Sequence, residues 1–411
     1  MNLKHAAAAL ALTSLVAAGA AQAAPKEITV AIASTFTTLD PYDASDTLSQ
    51  TASKSFYEGL FTFDKDMKVI DALATDYKVS DDGLVYTVTL RKGVKFHDGS
   101  EFQADAVKAN FDRVTNKANG LKRYMLYQNI EKTEVVDPYT VRFTLKKPFS
   151  SFINQLAHPA GVMICPSTLA NKTNKQIAFE PCGTGPYTLD KYNPSEGMRV
   201  VKNPNYWQAG KLDAINWKPV VENSTRVAML LTGEAQFAFP LPAEQVKQVQ
   251  GKDQVRLDIT PSIILRYVEM NMSKKPFQDK RVREALNYAI NKEALCKVAF
   301  AGYADPATGY APAAIDFAEK LGPWPYDPKK ARELLKEAGY GSGLTINLWS
   351  GYNHTTAQKV IQFLQQQLAQ VGIKSNIRAL EAGQRTALVE SVPTPDKSQH
   401  DLYYIGWSSS T

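Results

Sequence analysis

The spacing of apolar residues changes period between positions 263 and 301. Behind the apolar Ile263, Ile264 and Leu265, the residues Val268, Met270 and Met272 alternate with Tyr267, Glu269 and Asn271, the period of a half-buried strand ending near Met272. Val282, Ala285, Leu286, Ala289 and Ile290 then recur at helical spacing, with Asp279 placed to cap the helix they predict. Asn291 caps a further helix carrying Leu295, Val298 and Ala299. The chain reads differently on the two sides of this stretch, which marks it as a crossing between domains.

Before the crossing the pattern is α+β. Residues 27–33 alternate as a strand, Leu39-Asp40-Pro41 turns the chain, and residues 46–60 read as a helix. Residues 77–79 and 84–90 predict a hairpin across Asp82-Gly83, with Leu84, Tyr86, Val88 and Leu90 on one face. Asp98-Gly99 marks another turn, Asp105 caps a helix bearing Val107, Phe111 and Val114, and residues 135–145 form a strand pair around Asp137-Pro138. Gly183-Thr184-Gly185-Pro186-Tyr187 lacks the lysine and spacing of a phosphate loop, so it reads as a turn into a strand over 187–191. A helix from Asn223 carries Val227, Leu230 and Leu231 and ends at Gly233.

Beyond the crossing the pattern becomes α/β. Asp327-Pro328 supplies an N-cap and an N1 proline, Ala331, Leu334, Leu335 and Ala338 the apolar stripe, and Gly339 the stop. A strand over 344–349, a helix over 355–370 ended by Gly372 and a strand over 373–380 compose a βαβ unit, followed by a helix over 384–390 and a strand over 402–407. That last apolar strand calls for a neighbour on each side, yet the sequence stops at Thr411, so the second lobe is expected to be incomplete.

At 411 residues the chain exceeds what one core usually serves, and its 44% apolar content suits a folded protein. Lys4 and His5 ahead of an Ala/Leu run, closed by Ala21-Gln22-Ala23, form an export signal over residues 1–23. No cysteine follows the cleavage point to carry a lipid, and no later window is apolar enough to span a membrane. The formal charge of +6 falls to +5 without Lys4, and the basic residues are dispersed, which argues against nucleic acid. Such an excess is either ordinary surface charge or a mild pull on an anionic ligand. Of three cysteines, Cys165 and Cys182 can close a disulfide loop worth about 3 kcal/mol, while Cys296 stays unpaired among helical core positions. None of His5, His97, His158, His354 and His400 has the paired spacing of a metal site, and no Gly-x-Ser-x-Gly elbow occurs, so neither a metal, a cofactor nor an enzyme is expected.

Several stretches carry a resemblance. Leu39-Asp40-Pro41, Tyr57-Glu58-Gly59-Leu60, Val94-Lys95-Phe96-His97-Asp98-Gly99, the Gly183 turn, Pro276-Phe277-Gln278-Asp279 with Val282-Arg283, and Tyr326-Asp327-Pro328 through Ala338-Gly339-Tyr340 resemble the large extracytoplasmic solute-binding proteins of peptide, nickel and glutathione ABC importers. Phe36-Thr37-Thr38, Gly233-Glu234-Ala235-Gln236, Val298 through Tyr303, Thr356 through Val360 and Ala382 through Arg385 bring it nearest the glutathione-binding members. The resemblance implies an α/β, two-lobed periplasmic-binding-protein fold with an extra α+β subdomain in the first lobe. Its parts would be a first-lobe core over 24–61 and 183–262, the subdomain over 62–182, and a second lobe over 263–411. Family members continue past the last residue here, and the aspartate that holds a peptide's ammonium in some of them lies just beyond Gly406-Trp407. Dipeptide-type members place paired arginines where Gln358-Lys359 stands, which argues against simple dipeptides.

The implied function is periplasmic: a monomer that captures glutathione or a similar small peptide between its lobes and delivers it to a membrane permease. An exported peptide hydrolase and a non-functional truncated remnant are the alternatives. Two carboxylates, an ammonium and a thiol ask for planar cations, helix N-termini and an aromatic wall. Arg266, beside Tyr267 on the crossing strand, reads as a ligand cation or as a charge at a strand's solvent edge. Asn353, His354, Thr355 and Thr356 open a helix after a strand, either as a carboxylate site or as a capping turn. Arg123 and Tyr124 line the cleft by analogy with nickel-binding relatives or are loop charge, and Thr37 and Thr38 offer hydroxyls or shape their turn. Arg385 and Trp407 are candidates by position at strand ends, with Trp407 also readable as core.

Overall fold

The computed structural model describes residues 26–408 except 313–314 and 316–317, and the proposed export signal over 1–23 lies outside the described residues. The chain opens with β1 (Glu27–Ile32), whose last three residues are buried. It then leaves for an inserted unit: the hairpin of β2 (Phe61–Phe63) and β3 (Val69–Asp71), followed by β4 (Ala74–Val79), β5 (Val85–Leu90), β6 (Ile130–Asp137) and β7 (Thr140–Leu145), an antiparallel sheet in the order β4-β5-β7-β6. It returns with β8 (Tyr187–Asn193), β9 (Gly197–Lys202), β10 (Ala214–Pro219) and β11 (Phe237–Phe239), which complete a sheet in the order β11-β1-β10-β9-β8. Because β1 runs parallel to both β10 and β11, the carboxyl ends of these three strands share one edge.

The crossing strand β12 (Ile264–Met270) opens the other sheet, joined by β13 (Leu344–Ser350), β14 (Ile373–Ala379) and β15 (Leu402–Ser408) in the order β12-β15-β13-β14. The expectation that β15 lacks a flanking strand is overturned. It lies between β13, to which it is parallel, and β12, to which it pairs antiparallel along its whole length from Ile264↔Ser408 to Met270↔Leu402. The strand that enters this sheet supplies the missing neighbour, a pairing that a search for a following strand overlooks. Its register also explains why Leu402, Tyr403 and Tyr404 are all buried.

Two large cores result. One runs from Val30 to Trp217 and is continuous across the first sheet and the inserted unit. The other spans Phe277 to Tyr404, where the amphipathic helices Lys280–Ala289, Pro328–Glu337 and Thr355–Gln370 cover the second sheet. Their caps are local: Asp279, Asn291 and Asp327 each accept an N–H from the first turn. In the first part the buried Asp40 carboxylate receives the Arg113 guanidinium and the Tyr42 N–H at 3.0 Å, which fixes the turn after β1.

Some boundaries differ from the pattern. The helix expected over 46–60 is Thr47–Ser53, because the Ser55 and Phe56 carbonyls accept N–H groups from Tyr187 and Gly185 instead of continuing the helix. Gln103, not Asp105, stands at the N-cap position of Ala104–Thr115, without a side-chain capping bond; the Asp105 side chain accepts the Ala106 N–H inside the first turn. Val298 is 58% exposed on Lys292–Phe300, where only Ala299 is buried. The segment after Ala382–Arg385 continues as a π-turn over Thr386–Glu390. No helix among the described residues is long and apolar enough to cross a membrane.

Candidate functional site

The parallel strands β13, β14 and β15 end at one edge of the second sheet, and antiparallel pairing brings the start of β12 to that edge. Carboxyl edges of open α/β sheets are where ligands are bound, because helix N-termini and irregular loops converge there. Arg266, Tyr267, Trp407, the turn before Thr355 and Arg385 all come to this edge, although they are scattered along the sequence.

Strand alternation divides them. Arg266 stands directly opposite Gly406, and Val268 opposite Tyr404, so these share the face that packs on the second core. The Arg266 guanidinium lies 4.6 Å from the centroid of the Tyr352 ring and makes no hydrogen bond or ion pair with any described residue. Gly406 makes room for it: a Cβ there would sit 2.6 Å from Arg266 Nη1. The Gly406 N–H donates to the Tyr352 hydroxyl at 3.0 Å, and Tyr352 meets the Tyr404 ring edge-on and lies 5.6 Å from the His354 ring. Tyr267 and Trp407, opposite Ile405 and Leu265, point to the other face; Trp407 is 47% exposed and is not part of the core. Arg385 also belongs there, since a Cβ on Gly351 would touch both its Cδ and the Tyr403 hydroxyl. The structure thus separates Arg266 from Tyr267, Trp407 and Arg385.

The turn after β13 ends in His354, whose Nδ1 accepts the Ala357 N–H at 3.2 Å as N-cap of the sixteen-residue helix Thr355–Gln370. The Asn353 carbonyl takes the Gln358 side chain at 2.7 Å. These bonds leave the Thr355 and Thr356 N–H groups at the free end of the helix, where its dipole favours an anion. Burial, reinforced by the Arg266 charge and opposed by Glu244, holds the His354 pKa below its ordinary value, so the ring stays neutral and keeps its capping lone pair.

Glu244 comes from the first part of the chain, just past the carboxyl end of β11, and its charge acts on His354. Its segment is anchored by Arg226, which is 1% exposed and donates to the carbonyls of Val220, Val221 and Pro240 and to Asn223 Oδ1. Of the apolar residues expected on this helix Val227 is buried and Leu230 and Leu231 are half-buried, while Arg226 and Met229, which the pattern did not single out, are buried with it.

Thr37 and Arg123 converge elsewhere, on the turn after β1. The Thr37 N–H donates to Ser49 Oγ at 2.9 Å and its hydroxyl to Asp46, while Arg123 Nε donates to the Ala44 carbonyl at 2.9 Å. Burial lowers the Arg123 pKa, and its charge joins burial in holding His158 down to about 3. Thr38 is buried, its hydroxyl accepting the Asp40 N–H, and Tyr124 begins the short helix Tyr124–Tyr127. No hydrogen bond or ion pair joins this group to Arg266 among the described residues. Cys165 and Cys182 are disulfide-bonded with Cα atoms 5.4 Å apart; Asp98 lies beside them, but bridged sulfurs offer no thiolate to a metal. Sequence reasoning missed Tyr352, Gly406, Glu244 and Gln245; for the last two the only available signal was their position after a strand end and two prolines.

Comparison with known proteins follows the same lines. Residues 68–411 match the model of the bacterial extracellular solute-binding proteins, family 5 Middle. The glutathione-binding protein GsiB of Salmonella choleraesuis is 60% identical over 406 residues, 98% of this chain and 79% of that protein. Among solved structures, the ABC transporter-associated periplasmic binding protein DppA of Helicobacter pylori in complex with the peptide STSA is 30% identical with a TM-score of 0.82, covering 93% of this chain and 78% of that one. The dipeptide-binding protein of a Pseudoalteromonas species in complex with Met-Leu is 26% identical with a TM-score of 0.84, covering 94% and 80%.

Proposed function

Because this chain belongs to the family 5 bacterial extracellular solute-binding proteins, we propose that it captures glutathione or a similar small peptide between two lobes and delivers it to the membrane permease of an ABC importer. The ligand class rests on the 60% identity to a glutathione-binding relative and on peptide complexes among its structural neighbours. The observation that carries it within this chain is Arg266: a guanidinium at a sheet's carboxyl edge, lying over the Tyr352 ring and without an anionic partner among the described residues. A planar fork held over a ring is placed to take a carboxylate in two parallel hydrogen bonds. The second carboxylate goes to the helix N-terminus at Thr355 and Thr356.

The lobes are residues 24–61 with 183–262, extended by the subdomain 62–182, and residues 263–411, with β12 carrying the hinge. Residues 1–23 direct export to the periplasm and are removed. Tyr267, Trp407 and Arg385 line the rim on the other face of β12 and β15, and Thr37, Arg123 and Tyr124 serve the opposing wall. No catalytic role is assigned, since no observation favours a hydrolase.

Titration calorimetry of the chain with reduced glutathione, oxidised glutathione and a dipeptide tests this reading. Micromolar or tighter binding of a glutathione form, with mass spectrometry finding the ligand unchanged, is the expected result. Cleaved product overturns the binding role, and binding of the dipeptide alone overturns the ligand.

A further inference from the structure

His354 joins two parts of the carboxyl edge. Its Nδ1 accepts the Ala357 N–H at 3.2 Å as N-cap of the helix Thr355–Gln370, and its ring lies 5.6 Å from the Tyr352 ring, over which the Arg266 guanidinium sits at 4.6 Å. A capping Nδ1 needs its lone pair, so the ring caps only when neutral, with its proton on Nε2. Protonation reverses the role of that atom. Nδ1 becomes a donor, gives up the Ala357 N–H, and leaves a cation at the positive end of a helix, where only an anion can stabilise it. His354 is an exposed residue, open to proton exchange with solvent.

The charges that act on this ring come from two other elements, Arg266 on β12 and Glu244 in the turn after β11. Partial burial first and Arg266 second hold its pKa below the ordinary histidine value, and Glu244 works against them. Of the phenols on this side, Tyr352 meets the ring directly and Tyr404 stands behind Tyr352, its pKa pushed up to about 12 by burial, so it stays neutral near pH 7. A carboxylate received by Arg266 offsets the charge that opposes protonation and brings a negative charge to the same edge. Anion capture there therefore favours the imidazolium.

Other features carry less. A concavity of about 670 Å³ bounded by Asp112, Arg113, Asn116, Asn119, Lys172 and Asn174 lies in the inserted unit, and its asparagines are spent on hydrogen bonds to the backbone and to Arg113. Glu244 and Gln245 each keep a buried acceptor, Oε2 and Oε1, that receives no hydrogen bond from the chain, and nothing shows what meets them. The same holds for the exposed Tyr310, Leu321 and Trp324.

We propose that His354 couples capture of the ligand's carboxylate at this edge to uptake of one proton from solvent: neutral, it caps its helix in the free protein; protonated, it offers Nδ1–H to the bound anion. This rests on the peptide-binding reading and deepens it by giving that site a pH dependence. The Ala357 N–H that the ring releases stays with the other free N–H groups of the first turn, where a carboxylate replaces the cap. Because a ligand that favours the protonated ring must itself be favoured by it, affinity rises as the pH falls through about 6.5 and levels off once the free protein is protonated too.

The test is calorimetry of the full chain with glutathione between pH 5.5 and pH 7.0, in buffers of different ionisation enthalpy so that protons taken up are counted. The carboxyl groups of glutathione titrate below this window and its amine and thiol above it. The wild type is expected to bind roughly threefold to tenfold more tightly at pH 5.5 than at pH 7.0 and to take up a fraction of a proton per ligand. His354→Asn, whose side chain caps a helix but does not titrate, is expected to show neither the pH slope nor the uptake. An affinity that is flat or falls on acidification, or an uptake that persists in His354→Asn, overturns the coupling while leaving the peptide-binding reading in place. A second measurement needs no variant to fold: in NMR titrations of the wild type the His354 pKa is expected to rise when glutathione saturates the protein, and an unchanged or lower value overturns the proposal. A wild type that binds neither glutathione nor a tetrapeptide across this range overturns the peptide-binding reading and the coupling with it.

Discussion

Replacing Arg266 with alanine separates binding from folding more cleanly than any other single change in this protein. The side chain has no hydrogen bond or ion pair with any described residue, and its one directional contact is the stack on Tyr352 at 4.6 Å. Such a cation–π contact at a partly exposed site is worth about 0.5–1 kcal/mol. For a protein with domains of this size that lowers the unfolding midpoint by roughly 2–4 °C. Two charge-assisted hydrogen bonds to a ligand carboxylate are worth about 2–4 kcal/mol together, or roughly thirtyfold to a thousandfold in Kd. Arg266→Ala should therefore weaken glutathione binding by that factor in calorimetry while lowering the melting midpoint by no more than those few degrees. Arg266→Lys should recover only part of the loss, since a point charge cannot reproduce the flat fork. An Arg266→Ala protein within threefold of wild-type affinity refutes the assignment, and a midpoint lowered by about 10 °C shows that the residue is structural.

Three further outcomes follow from other sites. Gly406→Ala places a methyl 2.6 Å from Arg266 Nη1, so it should displace the guanidinium and weaken glutathione at least tenfold by calorimetry, with less than about 1 kcal/mol lost in urea unfolding, because a flexible side chain yields. Asp40→Ala strands the Arg113 guanidinium, whose side chain is 9% exposed, and should cost about 3–5 kcal/mol in the same assay; a loss below about 1 kcal/mol contradicts the buried pair. His97, His158, His354 and His400 all have pKa values lowered chiefly by burial, that of His158 to about 3, so the unfolded chain binds more protons than the folded one once the pH falls below about 6.5. Stability is complete above that pH and should decline toward pH 3, His158 alone contributing a slope of about 1.4 kcal/mol per pH unit, a slope that His158→Gln should reduce.

The helices and strands were legible where their signals are local. Caps at Asp279, Asn291 and Asp327, the proline at 328 and the glycine at 372 fix element ends through bonds within one turn, and residues 355–370 read as the helix that forms. The overlong helix over 46–60 fails for the opposite reason. What ends it is Gly185 and Tyr187 claiming the Phe56 and Ser55 carbonyls, and no local pattern announces that. The same holds for β15, whose second neighbour is a strand far back in the chain.

The candidate site follows this division between local and distant partners. Arg266 and Tyr267 were paired because they are adjacent, yet adjacency in a strand guarantees opposite faces, and only the register with β15 shows that Arg266 faces Tyr352 while Tyr267 joins Trp407 on the other side. Gly406 appeared only as a step in an apolar strand, but its missing Cβ is what lets the guanidinium lie across the sheet. Glu244 and Gln245 left no periodic trace at all, because an acceptor's lack of a donor is a property of the assembled edge. The geometry makes one demand that composition does not: the Arg266 guanidinium, which has no anionic partner among the described residues, calls for an anionic group on what it meets. If that demand sets selectivity, the free-acid and C-terminally amidated forms of one peptide should differ in affinity more than two free-acid peptides of different side chains do, and competition binding among the four measures that difference directly.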